Sequence, residues 1–374
     1  MALQKILLVH LYSNGDCLYA TALARQIKHD FPGCHLTWAV ASFCRKTIAN
    51  NPYVDEIMEI KTVAKDDIKA YLRFRKEIAQ RKSAGEWDQV FISQILAGNE
   101  ANYDGCIRSA IFRSYDRPVT VPVTPSLRLY PEEMEKVKQF AAEQQLSTYK
   151  QVILFEFAPQ SGQSKITREL AMEIAEELVA QPGVAVILSS AFKINHANPA
   201  IIDGSELSFR ETAGCTHYCT LLLGCSSGIT WMSTSDAAKR LPMVQILNPW
   251  TRWVNPISRD FERFGISTEG LIELVDFDKE KVVACVQEAM DNFHTAKSRY
   301  HQAIPLHFRT SRNIVYNLLC YLNFPAILQH VKINRQVYGN NLSFFYEVAM
   351  GFIVFPFWLI GNTFKKKIRP RLSK

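Results

Sequence analysis

Residues 5–21, KILLVHLYSNGDCLYAT, pass from an apolar run through a short polar turn into a helical pattern. An apolar run of this length, bounded by a turn, reads as a strand covered on both faces, the kind found in parallel sheets. From Cys17 to Lys28 the apolar residues Tyr19, Ala20, Leu23, Ala24 and Ile27 recur at i, i+3 and i, i+4 spacing, which predicts an amphipathic helix packed on that sheet. Asp16 is expected at its N-cap. Open α/β sheets collect ligands at the carboxyl ends of their strands. Asp16 therefore has two readings: a carboxylate accepting the free N–H groups of the first helical turn, or a base placed to take a proton from a substrate. Position alone leaves both open.

The same alternation of short β-rich runs and helical patterns continues along the chain. HLTWAVA, VDEIMEI and DQVFIS follow in the first half, and QVILFEF, VAVILSS, LLLGCS and MVQIL in the second. That is the pattern of parallel sheets with crossover helices. Residues 124–151, TPSLRLYPEEMEKVKQFAAEQQLSTYKQ, have a Pro-marked entry, a charged amphipathic helix and a polar exit, as a linker helix between two sheets would. The expected division is 1–147 and 148–299, two α/β halves, then a helical extension over 300–340.

Residues 341–374 are expected to be a hydrophobic and polybasic tail. Val348 to Phe364 is a run without a charge, short for a membrane span and interrupted by Pro356. An in-plane or re-entrant helix, with Trp358 and the phenylalanines at the acyl boundary and the lysines on anionic headgroups, fits that pattern. The other reading is a C-terminal helix pair covering the domain core. The formal charge is +7, of which the last ten residues, KKKIRPRLSK, supply six, so the excess describes a tail. A nucleic-acid binder carries its basic residues as a stripe across the folded domain, and no nucleic-acid partner is expected. The start of the chain reads as a first strand and not a signal peptide, and the nine scattered cysteines suit reduced thiols, so a cytoplasmic protein is expected.

Two further loops carry chemistry. FEFAPQSGQSK, Phe155 to Lys165, follows a buried strand and ends in a lysine that could meet an anion at a helix N-terminus, although the P-loop spacing is absent. LLLGCSSGITWMSTSDAAK, Leu221 to Lys239, places Ser226, Ser227 and Gly228 between a strand and a helix, where hydroxyls and amides could cradle a phosphate.

Taken together, NGD after the first strand, NPYVDEI, WDQVFIS, the Ser/Gly loop with Lys165, and GCSSGITWMSTSDAAKRLPMVQILNP resemble glycosyltransferase family 9, the lipopolysaccharide heptosyltransferases and their relatives, from about Lys5 to Phe293. The resemblance implies a GT-B fold: two Rossmann-like domains facing each other across a cleft, acceptor on the first and nucleotide-sugar on the second. It places the catalytic aspartate on Asp16, with Ser13 and Gly15 matching the same turn, the donor-phosphate lysine on Lys165, and the donor loop on Ser226, Ser227 and Gly228. Where the family has Asp, His and Trp-Pro, this chain has Ser226, Trp231 and Thr167-Arg168. The resulting expectation is an inverting, metal-independent glycosyltransferase without a cofactor, its nucleotide-sugar being a substrate. Its acceptor would be a lipopolysaccharide core or related cell-envelope glycolipid at the inner face of the cytoplasmic membrane, with residues 341–374 on the anionic surface. The alternative is a membrane-docked scaffold with a vestigial nucleotide cleft.

Three other signals read as structural. Asp276-Phe277-Asp278 spells a metal-binding D-x-D, but Asp278 opens a helical pattern and reads as an N-cap. Cys215, His217, Cys219 and Cys225 have poor spacing for a zinc site and read as reduced core cysteines. The basic helix expected over Lys65–Lys82 has an apolar stripe at Ile68, Leu72 and Ile78. Its charges are expected to be a solvated face, or to meet phosphates on a glycolipid or membrane surface.

Overall fold

Strands as apolar as KILLV need helices on both faces, and the computed structural model supplies them around two parallel sheets. It describes residues 3–65, 67–157, 166–248, 256–275 and 278–367. The first sheet uses β1 (Lys5–Val9), β2 (His35–Ala41), β3 (Glu56–Ile60) and β4 (Gln89–Ile92) in the order β3-β2-β1-β4. Its helices are α1 (Asn14–Asp30), α2 (Arg45–Ile48), α3 (Ile68–Ser83) and α4 (Ile107–Arg113).

After α5 (Pro131–Glu143), the second sheet is built from β5 (Gln151–Glu156), β6 (Val184–Ser189), β7 (Ile201–Asp203), β8 (Leu221–Gly224), β9 (Met243–Ile246) and β10 (Leu271–Leu274). They run in the order β10-β9-β8-β5-β6-β7. The intervening helices are α6 (Arg168–Val179), α7 (Phe209–Cys215), α8 (Gly228–Met232) and α9 (Ile257–Arg263). The chain continues through α10 (Lys279–Asp291), α11 (Phe293–Tyr300), α12 (Arg309–Cys320), α13 (Phe324–Tyr338) and α14 (Leu342–Lys367).

Every strand named from the sequence is present, and the short β7 is an addition that its three residues were too few to signal. Helix α3 corrects one expectation. It begins at Ile68, capped by Asp67 accepting from Ala70 N–H, and it buries Ala70, Tyr71, Phe74 and Ile78 while Leu72 is exposed. Lys65 thus lies in the turn ahead of the helix. Asp278 is an N-cap as expected, its carboxylate accepting from Lys281 N–H at 2.9 Å; Asp276 lies outside the described residues. None of the nine cysteines is in a disulfide, and all but Cys320 are buried. Cys219 Sγ donates to the Cys215 carbonyl at 3.3 Å, and Cys225 Sγ to the Glu156 carbonyl at 3.4 Å.

The two sheets are locked together through buried polar contacts. Arg108 of α4 is 1 % exposed; its guanidinium lies 4.7 Å from the Tyr19 ring centroid, 5.2 Å from Phe264 and 5.8 Å from Trp231. It pairs with Asp260 of α9 at 3.1 Å, and Cys106 Sγ donates to the other carboxylate oxygen at 3.0 Å. Burial pushes the Asp260 carboxyl up, against the pull of Arg108. Farther out, Arg210 of α7 ties Glu133 to the Ala49 and Arg128 carbonyls, at 2.7 and 2.6 Å for the latter two.

The C-terminal helices return to the first sheet. On α13, His330 Nδ1 lies 3.3 Å from the Ala101 carbonyl and Asn334 donates to the Tyr103 carbonyl at 3.1 Å. The first half of α14 packs on α12: Phe344 and Val348 are buried, Glu347 pairs with Arg312 at 2.8 Å, and a Cβ on Gly351 would come within 2.7 Å of Val315. The start of the segment 341–374 is therefore part of the packed protein, because Phe344, Glu347, Val348 and Gly351 fall on one helical face that meets α12. Among the described residues no helix is long and apolar enough to cross a membrane.

Replacing one member of a buried ion pair strands the other. Arg108→Met is expected to cost about 3 kcal/mol in urea unfolding, and Arg108→Met with Asp260→Leu to recover most of it. Equal losses in the single and double variants would show that the pair does not carry the junction.

Candidate active site

The turn after β1 is held from beneath by β4's successor: Leu11 and Tyr12 both donate their N–H to Gln94 Oε1, at 2.8 and 3.0 Å. Ser13 then takes φ 71°, a region L-residues rarely occupy, and is the N-cap of α1, with Cys17 N–H donating to its carbonyl at 2.9 Å. Asp16 is accordingly not the N-cap. Asn14 and Gly15 are already helical, so Asp16 falls in the first turn and makes no side-chain capping bond. Asp16 is a half-buried residue, and loss of surrounding water pushes its pKa up to about 7, with the charge of Lys65 pulling it back down. His10, fully buried beside Ser93, is driven down to about 3 by desolvation and is neutral.

On the facing sheet, the turn after β8 uses the same backbone device. Ser226 has φ 57° and is buried, with its N–H donating to Gln245 Oε1 at 2.8 Å. That amide is committed to the protein, so the amides left for a ligand belong to the partly exposed Ser227 and Gly228. Gln245 and Glu156 meet on the Thr230 hydroxyl, which lies 3.1 Å from the amide oxygen and 2.8 Å from Glu156 Oε2.

Glu156, at the carboxyl end of β5, is 2 % exposed. Burial raises its pKa to about 7, opposed by the Thr230 hydroxyl and the amides of Cys225, Ile229 and Thr230. Its Oε1 has no hydrogen-bond partner among the described residues. Glu156, Gln245 and Thr230 went unnoticed in the sequence, although a charged or amide residue inside an apolar run, as in ILFEF or MVQIL, is a visible signal.

These two turns touch. A Cβ placed on Gly15 would lie 3.7 Å from Trp231 Cδ1 and 3.8 Å from Gly228 Cα; one on Gly228 would lie 3.9 Å from Gly15 N and 3.1 Å from the Phe209 ring. Across the junction these distances are ordinary van der Waals contact, and the tighter one, to Phe209, lies within the second half; the Gly15 turn, with Ser13 and Asp16, is thus brought beside Ser227 and Gly228. Trp231 is 8 % exposed, with its ring 4.9 Å from Tyr19 and 6.1 Å from Phe261, so it serves the junction by packing. Lys165 lies outside the described residues. A separate groove of about 890 Å3 lies between Leu127–Lys138 and His217–Tyr218, and none of Ser13, Gly15, Asp16, Ser226, Ser227 and Gly228 lines it.

No family model matches the chain, and no curated protein does. Solved structures share its architecture. A glycosyltransferase family 9 protein of Veillonella parvula aligns over 80% of this chain and 96% of its own, with a TM-score of 0.52 and 12% identity. The ADP-heptose lipopolysaccharide heptosyltransferase II of E. coli aligns over 78% and 99%, with a TM-score of 0.53 and 14% identity. The chain has the fold of glycosyltransferase family 9. The two parallel sheets are thus the halves of a GT-B cleft, with Asp16 on one side and Ser227 and Gly228 on the other. The two neighbours are covered almost whole, while about a fifth of this chain lies beyond them.

The Glu156 carboxyl holds a proton in the fold that the unfolded chain, near the ordinary value of 4.5, has released. Its contribution to stability is complete below about pH 4.5 and is lost as the pH rises through about 7, a change on the order of 3 kcal/mol. Glu156→Gln is expected to remove that slope from urea-unfolding midpoints measured across this range; parallel curves for the two proteins would contradict it.

Proposed function

We propose that the protein is an inverting, metal-independent glycosyltransferase that moves a sugar from a nucleotide-sugar to a lipopolysaccharide core or related cell-envelope glycolipid. The observation that carries this reading is the contact of Gly15, next to Asp16, with Gly228 at the start of α8, which brings the two turns together at the junction of the sheets. Residues 1–147 would hold the acceptor and residues 148–299 the donor. The structural neighbours, one of them an ADP-heptose transferase by name, support a donor of the nucleoside diphosphate sugar class.

In this mechanism ionised Asp16 takes the proton from the acceptor hydroxyl while its oxygen attacks the anomeric carbon from the face opposite the leaving group. The bond from that carbon to the diphosphate oxygen breaks, and the configuration inverts. The charge developing on the diphosphate is offset by the Ser227 and Gly228 amides and by Lys165. A pKa of about 7 suits this base, since it is largely ionised just above neutrality yet accepts a proton readily. Residues 341–374 would hold the enzyme on the anionic inner face of the cytoplasmic membrane, beside its acceptor.

The second reading, a membrane-docked scaffold with a vestigial cleft, draws on the commitment of the Ser226 amide to Gln245 and the use of Trp231 for packing. Nucleotide binding separates the two. A live donor site predicts that one of ADP, UDP, GDP and CMP raises the melting temperature of the purified protein; no shift with any of them at millimolar concentration favours the scaffold.

Asp16→Asn is expected to lower transfer by at least about a hundredfold with that nucleotide shift intact. The wild-type rate should rise with pH through about 7 as Asp16 ionises. Removing the Lys65 charge takes away what holds the carboxyl down, so Lys65→Ala should move this acid limb to higher pH. An unmoved limb would assign the titration to another group.

A further inference from the structure

Helices α12 and α14 run side by side in the same direction. The Phe308 and Phe344 rings are 5.5 Å apart, Arg312 pairs with Glu347 at 2.8 Å, and Gly351 faces Val315, so each α12 residue meets one 35 or 36 positions later. Carried forward, that register brings the exposed Phe357 of α14 to the end of α12, where the chain turns through Tyr321, Leu322 and Asn323 into α13. Three helices therefore finish or pass at one end of the unit.

That end is apolar and uncovered. Leu322 is 74 % exposed, Leu328 70 % and Phe357 71 %, with Tyr321 and Phe324 also in solvent. Leu322 has φ 52°, a conformation in which asparagine or glycine is usual at a turn, and it projects a leucine there instead. The charge pattern matches an anionic surface. Residues 301–374 contain ten lysines and arginines and one acid, Glu347, which is itself buried against Arg312. On α13 the exposed Lys332 and Arg335 stand one and two turns behind Leu328, about 6 and 10 Å along the helix. That is the depth of the headgroups when the tip reaches the acyl boundary.

We infer that the α12–α13 turn, together with the adjoining stretch of α14 around Phe357, is a bilayer-inserting tip that docks the protein on anionic membranes. This deepens the membrane part of the function proposed above by adding to the tail a second contact fixed to the folded body. The consequence is orientation. The other face of α13 is bonded to the turn at Asn99–Tyr103, which follows β4, neighbour of the strand that leads to Asp16. A lipid-borne acceptor held at the tip is therefore presented to the first half of the cleft.

Cys320 adjoins the tip and is exposed, whereas the other eight cysteines are buried, so the full-length protein can be labelled there with an environment-sensitive fluorophore. With vesicles of phosphatidylcholine and phosphatidylglycerol, the labelled protein should cosediment, its emission should shift to the blue, and lipid-borne quenchers should reach the probe. Leu322→Asp with Phe324→Asp should lower the bound fraction by at least about tenfold, with circular dichroism and melting temperature unchanged because both sites are exposed. Cosedimentation with a silent probe and an unaffected double variant would overturn the tip while leaving the tail as anchor. No cosedimentation at all would overturn both, and the nucleotide shifts would still report independently on the donor site.

Discussion

The Arg108 guanidinium, closed off from water between aromatic rings and the Asp260 carboxylate, is the contact that sets the two sheets against each other. Cation–π contact and ion pairing act on the same group, so shifting either half disturbs both. Tyr19 and Trp231, two of the rings it touches, each stand three residues beyond a residue of the cleft, Asp16 on α1 and Gly228 on α8. Nearly one helical turn separates packing from chemistry on each side. The side chains that clamp the junction therefore also aim the turns that form the cleft floor, Trp231 among them.

Both turns reach the cleft through a serine with positive φ, Ser13 on one half and Ser226 on the other. Non-glycine residues persist there only when their surroundings over-determine them. Gln94 does so for the first turn and Gln245 for the second, each through a side-chain amide oxygen that accepts backbone N–H. Two glutamines at strand ends thus provide the rigidity that a preorganised site requires. The carboxyl groups nearby, Asp16 and Glu156, both titrate near neutrality because the same closeness that fixes the turns removes their water.

Much of this was legible in the sequence. The apolar runs gave the strands of both sheets because buried parallel strands are uniformly apolar, and the turn residues marked both sides of the cleft. What was not legible depends on contacts distant in sequence. The placement of Asp16 three residues past the N-cap follows from the backbone of Ser13, which Gln94 stabilises from some eighty residues away. Arg108 looked like one basic residue among many until α9 supplied its partner. The stripe on α3 shifted because Tyr71 and Phe74 outweigh Leu72 in buried area, a preference that only the neighbouring surfaces decide. The packed start of α14 matches the helix-pair reading for that stretch, which composition could not choose over a bilayer because an apolar run suits both equally.

The bonds from α13 to the turn at Asn99–Tyr103 join residues 227 to 231 positions apart. On a chain emerging from the ribosome at about 5–20 residues per second, the partners of that turn arrive on the order of ten to fifty seconds after it. The whole second sheet is made in the interval. The first half must therefore wait with a polar turn uncovered, and its edge is sealed by one of the last helices to be made. Completion of the first half is thereby coupled to synthesis of nearly the entire protein, so a chain interrupted after the second sheet would have both halves of the cleft and no finished support beneath one of them.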